Sequence, residues 1–313
     1  MWQLYLVQGL IFGAGTAGPF VCIVSTVAKW HTKRRGLALG MASAGMGLSM
    51  VLSPPLAASL NAAVGWRQAC VVLGLVALVI TIPTSLFVKD PPSTGNQNAG
   101  AANGGEEGKN HGGSTGPFGV MRSLPHLLQN RQFLSLFLFF LLFYIGCQLL
   151  SNHLVNYFTD AGISTLAAAT MMSAVGIASI AGRLAMGPVS DKFGTKVDAT
   201  VCCSLVIAAL VLLTFKEEPL MWLSAALFGV GSGGAAPLIP AIMGEHFGTK
   251  NLATMTGAIL IADNLGSALG PWMGGYVFDI TNSYLWALIL SAILLSLGLA
   301  IALRLGSPTG EVR

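Results

Sequence analysis

The stretch "RLAMGPVSDKFGTK", residues 183–196, decides how this chain folds. It sets Gly187, Asp191, Lys192, Gly194 and Lys196 in the pattern G-x-x-x-D-K-x-G-x-K, between two long apolar runs. A loop joining two membrane helices accounts for each residue type in it. Gly187 lets helices approach closely, Gly194 permits a tight turn, and Asp191 suits the positive end of a neighbouring helix. Lys192 and Lys196 hold the loop on the cytoplasmic side. The plainer reading, lysines for topology and glycines for a turn, leaves the aspartate without a purpose, because an acid adds nothing to positive-inside orientation.

Working outward, 54% of the residues are hydrophobic and 9% charged, with a mean hydropathy of +0.72. Soluble domains carry roughly a quarter charged residues. The apolar runs are about 20 to 27 residues long, enough to cross a bilayer as helices and too long for barrel strands. The polar interruptions place spans at 3–28, 37–63, 68–88, 132–157, 164–186, 198–215, 220–244, 252–278 and 284–304. The expected fold class is therefore an all-α polytopic membrane protein. The N-terminus "MWQLYLVQGLIFGAG" lacks the charge and cleavage site of a secretory signal.

Assigning loops alternately puts Lys29, Lys33, Arg34, Arg35, Lys89, Lys109, Arg122, Arg131, Arg183, Lys192, Lys196, Lys250, Arg304 and Arg313 on one side. The other side receives only Arg67 and Lys216. The first side is the cytoplasmic one, so the C-terminus and the central linker are cytoplasmic; the host membrane is expected to be the plasma membrane. The net charge of +4 reflects this topology, not a nucleic-acid partner. Cys22, Cys70, Cys147, Cys202 and Cys203 all fall in apolar runs without metal-ligand spacing and read as small core residues.

Residues 89–130, with "PPSTGNQNAGAANGGEEGKNHGGSTGP", are too polar to bury and read as a disordered linker between a partial bundle, 1–88, and a six-helix bundle, 131–313. An internal repeat explains the imbalance. "FGAGTAG" at 12–18 resembles "FGVGSGG" at 228–234, and the same offset carries Pro55 onto Pro271. Three helices equivalent to those at 132–215 are accordingly expected ahead of Met1. Glycine repeats of this kind cradle phosphate only after a strand, so here they read as close helix packing. Ser232 lacks the setting of an activated nucleophile, since Val230 breaks a G-x-S-G pattern.

Three places inside the apolar runs carry chemistry. Tyr144, Gln148, Asn152 and Asn156 recur every four positions on one helix, a polar stripe expected to face a cavity, with His153 and Asp160 on the adjoining face. His153 either takes up a proton or bonds a neighbouring helix. Arg183, about one turn from its helix end, either binds a carboxylate through a bidentate contact or snorkels to the interface and braces Asp191. Asp263 stands near the middle of "GAILIADNLGSALGP", where an ionised carboxylate costs a few kcal/mol. It must face the bundle interior, where it exchanges a proton or binds a cation; the alternative is a packing role with a partner such as Asn264.

The loop signature and its position resemble the major facilitator superfamily, whose members carry it after the second and eighth of twelve helices and build a gate from the two copies. The resemblance implies a two-bundle fold in which 1–88 holds family helices four to six and 131–313 holds seven to twelve. "WHTKRRGLALGMASAGMG", "GIASIAGR" and "SNHLVNYFTDAGIS" resemble the monocarboxylate and oxalate/formate-type branch. Monocarboxylate carriers pair an intramembrane Asp with an Arg four residues later; here the Arg is Arg183 and the earlier residue is Ser179. In the oxalate/formate-type relatives a cationic substrate ligand stands at the place of Asp263.

The combined expectation is a secondary transporter of a small organic solute, a monocarboxylate or related anion, working by alternating access with protons coupled through Asp263 and His153. An exporter of hydrophobic or cationic compounds, and a non-transporting receptor or subunit, are the alternatives. No cofactor and no enzyme activity are expected, because no nucleophile–base pair, metal cluster or cofactor loop stands out.

Overall fold

The computed structural model describes residues 35–86, 127, 129–248 and 252–304, with single positions at 13, 15, 23, 26, 27 and 30. The expected first helix, 3–28, and nearly all of the expected linker, 89–130, lie outside the described residues. What is described is helical. The elements are α1 (Arg35–Val64), α2 (Trp66–Leu86), α3 (Arg131–Ser151), α4 (Leu154–Asp160), α5 (Thr165–Phe193), α6 (Thr195–Leu213), α7 (Glu218–Phe247), α8 (Leu252–Thr281) and α9 (Tyr284–Arg304). Among the described residues six of them, α2, α3, α5, α6, α7 and α9, are long and apolar enough to cross a membrane.

The helix ends follow local chemistry. Asn130 caps α3, its side chain accepting from the backbone N–H of Gln132 at 2.9 Å and of Phe133 at 3.3 Å. Ser164 caps α5 through the N–H of Ala167 at 3.3 Å. Gly194 ends α5 and opens α6 at φ 89°, a left-handed conformation that a β-carbon disfavours.

Two expected boundaries are corrected. The span expected at 132–157 breaks at Asn152 and His153, where α3 ends and the short α4 begins. The segment 187–193, expected as a loop, is the last two turns of α5; the helix accommodates Pro188 in its interior and ends only at Gly194. Polar residues there marked the edge of the membrane rather than the end of the helix.

Helices α5 and α7 pack closely, as do α3 with α8, α7 with α6, and α1 with α5. Between apolar helices in lipid, association rests on close van der Waals packing and interhelical hydrogen bonds rather than on escape from water. The expected role of "FGVGSGG" is visible: a β-carbon on Gly229 would meet the Val175 carbonyl and one on Gly231 the Cys202 carbonyl. Ser224 donates to the Ala209 carbonyl at 2.9 Å and Ser291 to the Gly146 carbonyl at 2.5 Å. Cys147, Cys202 and Cys203 are buried as expected, whereas Cys70 is exposed on α2.

Two apolar cores form at opposite ends of the bundle. One gathers Phe133, Leu136, Phe140, Leu238, Ile242 and Ile259 with Leu39 of α1. The other gathers Phe143, Leu150, Met171, Val206, Leu210, Met221 and Phe228. On α3 the changeover between them falls at Phe140 to Phe143. The polar residues of the apolar spans meet at this level.

Candidate functional site

A cavity of about 410 Å³ opens between the two cores. α3 contributes Phe143, Tyr144, Cys147, Gln148 and Ser151; α5 contributes Val175, Ser179 and Arg183; α7 contributes Phe228, Ser232, Ala236 and Ile239. α8 adds Leu260, Asp263, Asn264 and Ser267, and α1 adds Met46. Each set recurs at three- and four-residue intervals, one face of each helix.

Arg183 is only 7% exposed. Because α5 runs on to Phe193, Arg183 lies ten residues, about 15 Å of rise, from the helix end. The expectation of a residue one turn from its helix end is corrected accordingly. The guanidinium turns into the bundle: Nε donates to Ser179 Oγ at 3.4 Å and Nη1 points at Met46 Sδ at 3.7 Å. Ser179 sits one turn earlier on the same face, so α5 orients its own arginine.

Asp263 faces the cavity from α8. Ser267, one turn later, donates to its Oδ1 at 3.3 Å, and Gln148 of α3 reaches Ser267 Oγ at 3.5 Å. The side chain of Asn264, considered as a partner, bonds instead to the Leu260 carbonyl at 2.7 Å. Among the described residues Asp263 and Arg183 form no ion pair, although both line the same space.

The polar stripe on α3 divides. Tyr144 and Gln148 line the cavity, but the break after Ser151 turns Asn152 and Asn156 out to exposed positions. His153 stands outside the cavity, between α3 and α8. Its Nε2 lies 3.1 Å from the carbonyl oxygen of Pro271 and must carry the proton to bond there. Its ring packs against Tyr284 at 5.8 Å and fills the space beside Gly274. This is a helix-to-helix contact.

The signature residues gather at one end of the molecule. Gly187, Asp191 and Lys192 ride the last two turns of α5, Gly194 makes the junction, and Lys196 lies in the first turn of α6. Asp191 Oδ2 accepts from the backbone N–H of Leu37 at 3.2 Å, two residues into α1. A carboxylate at a helix N-terminus is favoured by the exposed N–H groups and the helix dipole. Glu245 makes the same kind of contact with the N–H of Thr195 at the start of α6, at 3.3 Å.

Sequence reading passed over Ser179 and Ser267 as site residues. The signal was available: each lies four residues from a membrane-embedded charge, where a helix brings side chains together. Met46 had no such signal, since it reaches the cavity through the packing of α1 on α5.

A family model described as Major Facilitator Superfamily matches residues 1–215 and 155–313. Monocarboxylate transporter 12 of Xenopus laevis is 28% identical over 307 residues, covering 92% of this chain and 65% of the relative. The chain thus spans less than two thirds of that protein's length. Two solved structures share the fold. The human organic anion transporter MFSD10 (TETRAN) superposes with a TM-score of 0.70 at 16% identity, covering 96% of this chain and 71% of that one. FucP in the outward conformation superposes with a TM-score of 0.70 at 15% identity, covering 98% and 77%.

Proposed function

Because the chain belongs to the major facilitator superfamily, and is therefore an integral, multi-pass membrane protein, we propose that it carries a small organic carboxylate across the membrane by alternating access. The carrying observation is the cavity that sets Arg183 and Asp263 among Tyr144, Gln148, Ser179 and Ser267. Arg183 is the anion anchor, since its planar guanidinium offers paired donors to a carboxylate and Ser179 engages only Nε. Asp263 is the proton site. A bound anion returns the cavity to neutrality only if a proton arrives with it, and a partly desolvated carboxylate is the group to receive it.

His153, bonded to a backbone carbonyl outside the cavity, has no part in this coupling. The relatives named as a monocarboxylate transporter and an organic anion transporter agree with an anionic substrate. Export of lone cations fits less well, because Arg183 would repel them. The Lys and Arg distribution supports a cytoplasmic segment 89–130 joining bundles at 1–88 and 131–313; the plasma membrane is the proposed host.

The test is uptake of short monocarboxylates into proteoliposomes under an inward proton gradient. Asp263→Asn is expected to abolish gradient-driven uptake while sparing counterflow exchange, and Arg183→Lys to weaken substrate affinity about tenfold, roughly 1.4 kcal/mol. Gradient-driven uptake that survives Asp263→Asn unchanged would remove the coupling role from this residue.

A further inference from the structure

Two hollows meet at the end of the molecule away from the signature residues, and neither shares a residue with the cavity of Arg183 and Asp263. The first, about 210 Å³, lies where α4, α6 and α8 end and α9 begins. Asp160, Lys216 and Asn282 line it, together with the rings of Tyr157, Phe278 and Tyr284. The second, about 470 Å³, is a groove between α6 and α9, walled by Val211, Ile289, Ala292, Ile293 and Leu297. Thr214 and Leu288 belong to both, so the polar hollow runs directly into the apolar groove. The groove opens on the lipid side, since Val211, Ile289, Ile293 and Leu297 are exposed on two apolar spans. Thr214 and Ser296 give their hydroxyl protons to the carbonyls of Val211 and Ala292, each at 2.7 Å, and leave the groove no side-chain donor. From Leu288 to Leu297 the groove follows α9 for about 13 Å of rise, close to half of a hydrocarbon core of ~30 Å.

The polar hollow carries the complement of a lipid headgroup. Lys216 and the side-chain amide of Asn282 offer donors to a phosphodiester. Asp160 and the aromatic rings suit an ammonium, by opposite charge and by cation–π attraction. Glu217 and Glu218, which follow Lys216 at the start of α7, disfavour a headgroup of net negative charge. Lys216 at φ 55° and Asn282 at φ 50° are the two non-glycine residues of positive φ among the described residues, and both stand here; such backbone conformations collect at ligand sites. We propose that one zwitterionic phospholipid fills the two hollows, with its phosphate on Lys216 and Asn282, its ammonium on Asp160, and an acyl chain along the groove between α6 and α9. Seated so, it ties together the ends of α4, α6, α8 and α9, and a ligand of the folded state raises the stability of that state.

The experiment titrates the purified full chain in maltoside detergent with single lipids, following bound lipid by native mass spectrometry and stability by thermal unfolding. The probes are phosphatidylcholine, phosphatidylethanolamine, the anionic phosphatidylglycerol with the same chains, and glycerophosphocholine, which has a headgroup and no chain. Both zwitterionic lipids are expected to bind and to raise the unfolding midpoint. Phosphatidylglycerol is expected to bind about tenfold more weakly, and glycerophosphocholine not at all. Lys216→Glu, which reverses the charge at the polar end, and Ala292→Phe, which fills the groove, should each lower phosphatidylcholine affinity about tenfold. Equal affinity for phosphatidylglycerol overturns the headgroup assignment. Glycerophosphocholine bound as tightly as the lipid overturns the part of the groove. Phosphatidylcholine binding that both variants leave unchanged puts the lipid elsewhere, and no lipid retained above the detergent background also overturns the proposal. The comparison among lipids uses the wild-type protein, so a variant that fails to fold does not shield it.

Discussion

Gly40 of α1 lies directly against the backbone carbonyl of Arg183 on α5, so close that any side chain there would collide with it. The residue whose guanidinium enters the cavity therefore also forms, through its main chain, the contact between α1 and the helices that follow. Gly47, two turns on, lies against the side chain of Ile180. Gly40→Val is expected to force the two helices apart, at a cost of about 1–3 kcal/mol for overpacking. Transport should fall at least tenfold while the protein still inserts in the membrane. Wild-type transport rates in Gly40→Val would show that this contact does not govern the cavity.

Asp191 ties the end of α5 to the start of α1 through the N–H of Leu37. Asp191→Asn keeps the shape and removes the charge, so the loss should match a helix-terminus interaction, about 0.3–1 kcal/mol. Thermal unfolding in detergent measures it, and the difference from wild type should shrink as salt is raised. A difference indifferent to salt would mean that the contact is not electrostatic.

Ser179 leaves Arg183 available to a substrate. Replacing it with Asp sets a carboxylate one helical turn from the guanidinium, where the two pair. Substrate anions must then compete with a built-in one, and their affinity should drop about tenfold, roughly 1.4 kcal/mol. Equilibrium binding checks this; an unaltered affinity would take Arg183 out of the substrate site.

His153 holds a backbone carbonyl of α8 from the α3–α4 break. His153→Ala should therefore cost stability, about 0.5–1.5 kcal/mol for a lost hydrogen bond, and leave the pH profile of uptake unmoved. A displaced profile would return this residue to the proton pathway.

Asn130 satisfies two N–H groups at the start of α3, the helix that carries Tyr144 and Gln148. Asn130→Ala should destabilise the protein by about 0.5–2 kcal/mol. Affinity should barely change, because Tyr144 lies nearly four turns away along the helix.

Much of the helical layout was legible because hydropathy is a local property. The spans expected at 220–244, 252–278 and 284–304 correspond to α7, α8 and α9 within a few residues. The misreadings have local causes too. Gly187 and Pro188 followed by the polar Ser190, Asp191 and Lys192 resembled a loop, yet the helix runs through all of them as it leaves the membrane. The four-residue period from Tyr144 to Asn156 assumed an unbroken helix, and nothing in the residue types announced the turn at Asn152 and His153. Where the helix did continue, the same rule succeeded, placing Tyr144 and Gln148 on the cavity face.

By itself the sequence determined the class of molecule, the course of its apolar spans, and which of them carry a charge. In lipid a backbone must satisfy its own hydrogen bonds, so a long apolar run has to be a helix, and a charge within it has to turn inward. Which charges share one space was decided only by the tertiary structure. Arg183 and Asp263 meet the same cavity because small residues let α5 close on α7 and on α1, and α8 close on α3 through Gly270 and Gly274. The rotation and approach of each helix depend on partners far away along the chain, and no local pattern records them.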